Sequence, residues 1–306
     1  MTITLLENFR AAFYAPFYAA HALKAFEAEG LEVEIKKSPD AAQTIYSLMA
    51  GSGEVSWGGP IRLMQALEKK PESRLVAFCE VVGKDPFFLL ARTPNPAFAF
   101  GDLNGKSIAV VNEVPTPWMC LQYDLRLAGV DSSKLSVRED RTMAENAAAL
   151  RDGKVDVIQV FQPYAQRLIE EGRAHIWYSA ATRGQTSYTT LNTTRQFIEK
   201  DPKTILGMCR AMYRTQRWIE GHDGRELAQA VQSYFPDVPA STLAAAYDTY
   251  KTLGLWNRQP QMSREGFEWL RDAGLATEHL HTKFPYEDCA DMRFAEQAVK
   301  DDPPPL

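Results

Sequence analysis

The order of the apolar runs constrains this chain most. Over the first 180 residues, short strand-like runs alternate with helix-length stretches. A strand followed by a helix must return through a crossover to a parallel neighbour, so this order predicts α/β layers built on largely parallel sheets. Residues 2–6 and 31–36 alternate apolar and polar side chains, the period of a half-buried strand. Residues 155–161 (VDVIQVF) are nearly continuous in apolar character, as a strand covered on both faces is. Further strands are predicted at 54–57, 75–82, 87–91, 107–111, 135–138, 174–178 and 188–191. Helices are predicted at 15–29, closed by Gly30, at 40–51, at 61–68 behind Pro60, from 115 to about 128, at 144–150 and after Pro163. From Arg195 onward the periodicity turns helical, at 195–199, 203–220, 224–233, 240–253 and 263–273, and the closing DDPPPL is a poor core former.

A chain of 306 residues has room for about two domains. Its net charge of −5, without a long run of one sign, supplies no basic face for a phosphate backbone, so nucleic acid is not an expected partner. No apolar stretch reaches the roughly 18 residues a membrane span needs, so no membrane insertion is expected. The opening MTITLLENF shows no export signal; the reading is a cytoplasmic protein, or a periplasmic one whose signal has been removed. The four cysteines, Cys79, Cys120, Cys209 and Cys289, have no metal-ligand spacing and read as small core residues.

Taken in order, several segments resemble one family. They are residues 8–17 followed by AFEAEGLEVEI, then GSGEVSWGGP, DLNGKSIAVV, GKVDVIQVFQPYA and RQFIEKDPKTILGMCRAMYRTQRWI. The chain is similar to the nitrate/sulfonate/taurine class of substrate-binding proteins for ABC importers, which includes binders of thiamine-pyrimidine precursors. That resemblance implies the periplasmic binding protein-like type II fold. It has two α/β lobes, each a mostly parallel sheet flanked by helices, plus a helical C-terminal region. It places lobe one at 1–92 plus 189–306, lobe two at 93–188, and crossovers near 91–94 and 187–191, with hinge closure over a ligand. It implies a small-molecule ligand and an ABC permease as partners.

In such sheets ligands sit beyond the carboxyl ends of the strands. After the first strand come Asn8, Phe9, Phe13 and Tyr14, whose rings suit a planar ligand or, equally, a core. Trp57, Gly58 and Gly59 precede a helix whose amides favour an anion or a carbonyl, with Trp57 as a stacking surface or a buried turn residue. Glu113 and Thr116 follow the strand at 107–111. A carboxylate at Glu113 repels a bare oxyanion and suits a ligand with N–H donors, unless it merely favours the helix start. Phe161, Gln162 and Tyr164 form a fourth loop, and Glu80 and Tyr188 are further candidates.

No catalytic constellation stands out. The five histidines lie outside the expected cleft loops, and the His279–His281 pair has no companion ligands. The resembling family includes pyrimidine synthases with a cofactor lysine near position 60 and a cysteine-rich iron motif, and neither is present. It also includes desulfinases with a cysteine in the first loop, and residues 8–18 contain none. The expectation is a solute-binding protein without cofactor or metal. Its solute is small and polar, with a heteroaromatic, pyrimidine-like body as the narrower option, and is delivered to an ABC-type importer. The alternative is a cytoplasmic enzyme or ligand sensor of the same fold.

Overall fold

The computed structural model describes residues 2–306. The first stretch holds β1 (Thr2–Glu7), α1 (Ala15–Ala22), β2 (Glu32–Lys37), α2 (Thr44–Met49), β3 (Val55–Gly58), α3 (Pro60–Lys69) and β4 (Leu75–Val82). The second holds β5 (Phe88–Ala91), β6 (Ser107–Val111), α4 (Thr116–Leu127), β7 (Ser136–Arg141), α5 (Met143–Arg151), β8 (Val157–Val160), α6 (Tyr164–Glu170) and β9 (His175–Ser179). Then come β10 (Thr189–Thr194), α7 (Arg195–Lys200), α8 (Pro202–Gly221), α9 (Gly224–Val231), α10 (Ala240–Thr252), α11 (Arg264–Ala276), α12 (Tyr286–Cys289) and α13 (Arg293–Asp301).

Two five-stranded sheets result, ordered β2-β1-β3-β10-β4 and β7-β6-β8-β5-β9. Four strands of each run one way. The reversed strand is β10 in the first sheet and β5 in the second, and each pairs antiparallel with both neighbours. The sheets are therefore mixed, and the reversed strand is in each case the one the chain lays down on arriving from the other sheet.

Three expectations are corrected. Residues 88–91 were read with the first sheet, but β5 pairs with β8 and β9, so the first crossing lies at 83–87 rather than 91–94. A short run apolar on both faces does not reveal which sheet receives it. The first helix ends at Ala22 rather than near residue 29. Lys24 takes a left-handed φ of 58°, and the turn drops Ala25 and Phe26 into the core, both fully buried. The helices α12 and α13 were not anticipated: α12 is a single turn, and the buried face of α13 holds the small side chains Ala295 and Ala298. The closing residues lie on the surface, where Arg217 on α8 donates to Asp302 (2.7 Å) and to the Pro303 carbonyl (3.1 Å).

The C-terminal helices brace the point where the chain crosses between sheets. Gly266 on α11 presses on the second crossing. A Cβ there would sit 2.8 Å from Ser187 Oγ and 2.9 Å from the Ser187 nitrogen. Because that neighbour is backbone, it cannot step aside. Gly266→Ala is expected to lower stability by about 1–3 kcal/mol, measured by urea unfolding; an unchanged midpoint would show that α11 is free to shift.

Candidate functional site

Loops leaving the carboxyl ends of β1, β2, β6 and β8 converge on a cavity of about 630 Å³. Its first-sheet side is built from residues 8–12 and 37–41. Its second-sheet side is built from Glu113, Val114, Met143, Phe161, Pro163, Tyr164 and Arg167. Phe235, Asp237 and Val238 of the C-terminal region add a third wall.

The floor is aromatic and spans both sheets. The Phe9 and Phe161 centroids lie 6.2 Å apart at 31°, and Phe13 stands edge-on to Phe161 at 5.1 Å. Tyr14 (5.3 Å from Phe9) and Tyr188 (6.0 Å from Phe13) back this floor. Behind them Asn8 donates to Tyr14 Oη (3.0 Å) and accepts from Thr44 (3.2 Å), which fixes the amide at the cavity edge.

The charges around the rim differ in how far they are already satisfied. Arg10 makes a bidentate pair with the buried Glu7 (2.6 and 2.9 Å), donates to the Tyr234 carbonyl (2.8 Å) and lies 4.9 and 5.3 Å from the centroids of the Tyr18 and Tyr234 rings. The hydrogen bond to Glu7 raises the guanidinium above its ordinary range, outweighing burial. Arg10 is thus a neutralised cation. Lys37, Asp40, Arg167 and Asp237 line the cavity and make no ion pair among the described residues. Glu113 also lacks a cationic partner. Both its oxygens accept the Met143 amide at the start of α5 (3.2 and 3.1 Å), and burial raises its carboxyl above the usual range against the pull of that amide. Ser38, 3% exposed, lines the cavity with a hydroxyl that has no partner.

Of the candidates from the sequence, Asn8, Phe9, Glu113, Phe161 and Tyr164 line this cavity. Phe13, Tyr14 and Tyr188 stand directly behind it, buried in the aromatic cluster. Trp57 is fully buried and stacks on Phe17 at 4.7 Å and 2°, so that face of its ring is taken by the core. Gly58 ends β3, Gly59 caps α3 and Thr116 opens α4, all outside the cavity lining. Gln162 is buried, with its side-chain oxygen accepting the Gln166 amide (2.8 Å).

Glu80 lies elsewhere altogether. It is fully buried, bonded to Asn257 and to the Ser263 amide (3.3 Å). Phe235, Asp237 and Val238 had no signal in the sequence, because only the tertiary fold brings them to the rim. Lys37, Ser38 and Asp40 did have one: Lys37 ends β2 and the other two follow it, and the rule applied to the other strand ends covers them equally.

Burial raises the Glu80 carboxyl from 4.5 to about 7. Between those values the folded state holds more protons than the unfolded one. The stability present below pH 4.5 is therefore lost as pH rises to about 7. Glu80→Gln removes that titration. Urea melts across this range should show the variant gaining on the parent with rising pH, by on the order of 3 kcal/mol at most; parallel profiles would refute a buried, titrating Glu80.

Comparison with known proteins agrees with this architecture. The family described as NMT1/THI5 like matches residues 12–223. A curated relative, "Putative binding protein YtlA" of Bacillus subtilis (strain 168), is 23% identical over 301 residues, 98% of this chain and 90% of that protein. Among solved structures, the periplasmic aliphatic sulphonate binding protein SsuA from Escherichia coli superposes with a TM-score of 0.75. It is 16% identical and covers 94% of this chain and 96% of its own. The desulfurization enzyme DSZB superposes with a TM-score of 0.72 at 14% identity, covering 99% of both chains. The periplasmic binding protein-like, two-lobed fold is shared by all of these structures.

Proposed function

From the premise that the chain belongs to the NMT1/THI5-like family, we propose that it is the solute-binding component of an ABC-type importer, closing two lobes around one small molecule. The lobes of this reading are the first sheet with the C-terminal helices and the second sheet. The observation that carries it is the cavity between their loops, with an aromatic floor drawn from both sheets and a carboxylate, Glu113, that no cation neutralises.

The same observation narrows the solute. Sulfonate binding belongs by name to the SsuA neighbour. Here a partly buried carboxylate lines the cavity, Arg10 is already neutralised by Glu7, and the floor suits a flat ring. A bare oxyanion would have to sit in the same cavity as the Glu113 carboxylate, whereas an amino group on a heteroaromatic ring would donate to it and to Ser38. A pyrimidine-like solute bearing N–H donors fits both. Catalysis is the weaker reading, since no thiol or imidazole lines the cavity and all four cysteines are buried away from it. No helix of the described residues is long and apolar enough to cross a membrane, so in this reading the importer's permease supplies the membrane passage.

Isothermal titration against aminopyrimidines, alkanesulfonates, nitrate and aromatic acids tests the reading. An aminopyrimidine should bind most tightly, and Glu113→Gln should weaken it by about tenfold or more. Tighter binding of a sulfonate or of nitrate would overturn the solute assignment. Turnover of any panel member would overturn the assignment as a binder.

A further inference from the structure

Phe235, Asp237 and Val238 form the third wall of the cavity, and the stretch that carries them is closed on itself. The Phe235 amide donates to the Gln232 carbonyl (2.9 Å), and the Val238 amide donates to the Phe235 carbonyl (3.1 Å). The Gln232 side chain donates to the Phe235 and Val238 carbonyls (2.9 and 3.0 Å). Residues 232–238 are therefore one tight piece between α9 and α10. How far Phe235 and Val238 stand into the cavity depends on what this piece is fastened to.

Three side chains fasten its Tyr234 to the first sheet and α1. Arg10 Nη1 donates to the Tyr234 carbonyl (2.8 Å). The Tyr18 ring stacks on Tyr234 at 4.7 Å and 25° and stands edge-on to Phe235 at 5.5 Å. Tyr234 Oη lies 2.8 Å from His21 Nδ1. At the other end of the piece, Arg167 of α6 donates to the Asp237 carbonyl (2.8 Å).

Glu7 organises two of those three. It ends β1, is 1% exposed, and accepts from Arg10 Nε (2.6 Å) and Tyr18 Oη (2.7 Å) on one oxygen and from Arg10 Nη2 (2.9 Å) on the other. A buried carboxylate is costly unless it is hydrogen-bonded, and a guanidinium meets it with two parallel bonds in one orientation. The edge of Arg10 that carries Nε and Nη2 is thereby spent on Glu7, and the remaining nitrogen points to the wall. Arg10 lines the cavity, but its charge is matched and its direction is set from behind.

We propose that Arg10 is a positioning residue: held by Glu7, it fixes the depth at which Phe235 and Val238 stand in the cavity, and so the size of solute accepted. The proposal rests on this cavity being the solute site. Lysine at position 10 would still neutralise Glu7, but an ammonium has no planar fork to hold both carboxylate oxygens and the Tyr234 carbonyl together. The wall is then free to recede, and the cavity admits a bulkier ring.

The test uses the full chain with para-fluorophenylalanine in place of Phe235. Without solute, Arg10→Lys should shift and broaden the fluorine NMR line. Arg293→Lys, which breaks the same kind of fork to Asp291 (2.8 and 2.6 Å) outside the cavity lining, should leave the line unchanged. Titration then compares an aminopyrimidine with its phenyl-substituted derivative. In Arg10→Lys the affinity ratio should move towards the phenyl derivative by about fivefold or more. A parental fluorine line in Arg10→Lys, or an equal shift in Arg293→Lys, overturns the proposal. So does an equal loss of affinity for both rings, which marks Arg10 as merely structural. If Arg10→Lys does not fold, Glu7→Gln combined with Arg10→Met, which leaves no buried charge unpaired, takes its place with the same outcomes. If neither ring binds the parent, the solute assignment fails, and the fluorine lines alone decide whether Arg10 holds the wall.

Discussion

The chain can build two sheets only by crossing between them twice, and each crossing delivers the strand that completes the sheet it enters. β10 lies between β3 and β4 and holds them together; β4 has no other strand neighbour. β5 does the same for β8 and β9. Neither sheet is whole until a distant part of the chain returns, since β3 pairs with a strand about 130 residues later (Thr190 with Gly58). The hydrophobic cores of both sheets, and the spacing between their strand ends, follow from those two arrivals.

The cavity is a consequence of the same constraint. Parallel strands aim their carboxyl ends one way, and two sheets joined side by side by short crossings aim theirs at each other. Phe9 and Phe161 meet because each sits in the first loop beyond such a strand. Once the rings have closed the floor, what distinguishes the rim is which charges are already spent. Arg10 is matched by Glu7 with two hydrogen bonds and lies against two tyrosine rings. Glu113 has only the amide of a helix start. An amide dipole orients a carboxylate without neutralising it, so Glu113 keeps its preference for a donor that arrives from outside.

Much of the fold was legible because its signals are local. The strand at 75–82 and the helix behind Pro60 are set by residues that touch within a turn or across a strand, and both stand where their patterns place them. Legibility stopped where the deciding contact is distant. Residues 88–91 are equally apolar on both faces, so nothing within FFLLA chooses a sheet. Trp57 could have been a stacking platform or a core ring, and the choice rests on Phe17, forty residues earlier, lying parallel against it. Glu80 looked like a strand-end carboxylate, yet Asn257 and Ser263 from the C-terminal region cover it. Phe235 reaches the rim from a stretch whose periodicity marks only helix and turn.

At the crossings Arg183 is gripped by Asp85 (2.7 Å) and by Asp124 of α4 (3.0 Å), all three buried, and this cluster shows why polarity is worth its desolvation cost there. Replacing a buried ion pair by apolar groups of equal volume is often neutral or stabilising, so the Asp85–Arg183–Asp124 set is a poor device for stability alone. Apolar packing tolerates sliding, because its energy depends on area and little on direction. A guanidinium gripped by two carboxylates has one geometry, and displacing either partner leaves a buried charge unpaired. Such a cluster cannot absorb part of a rotation.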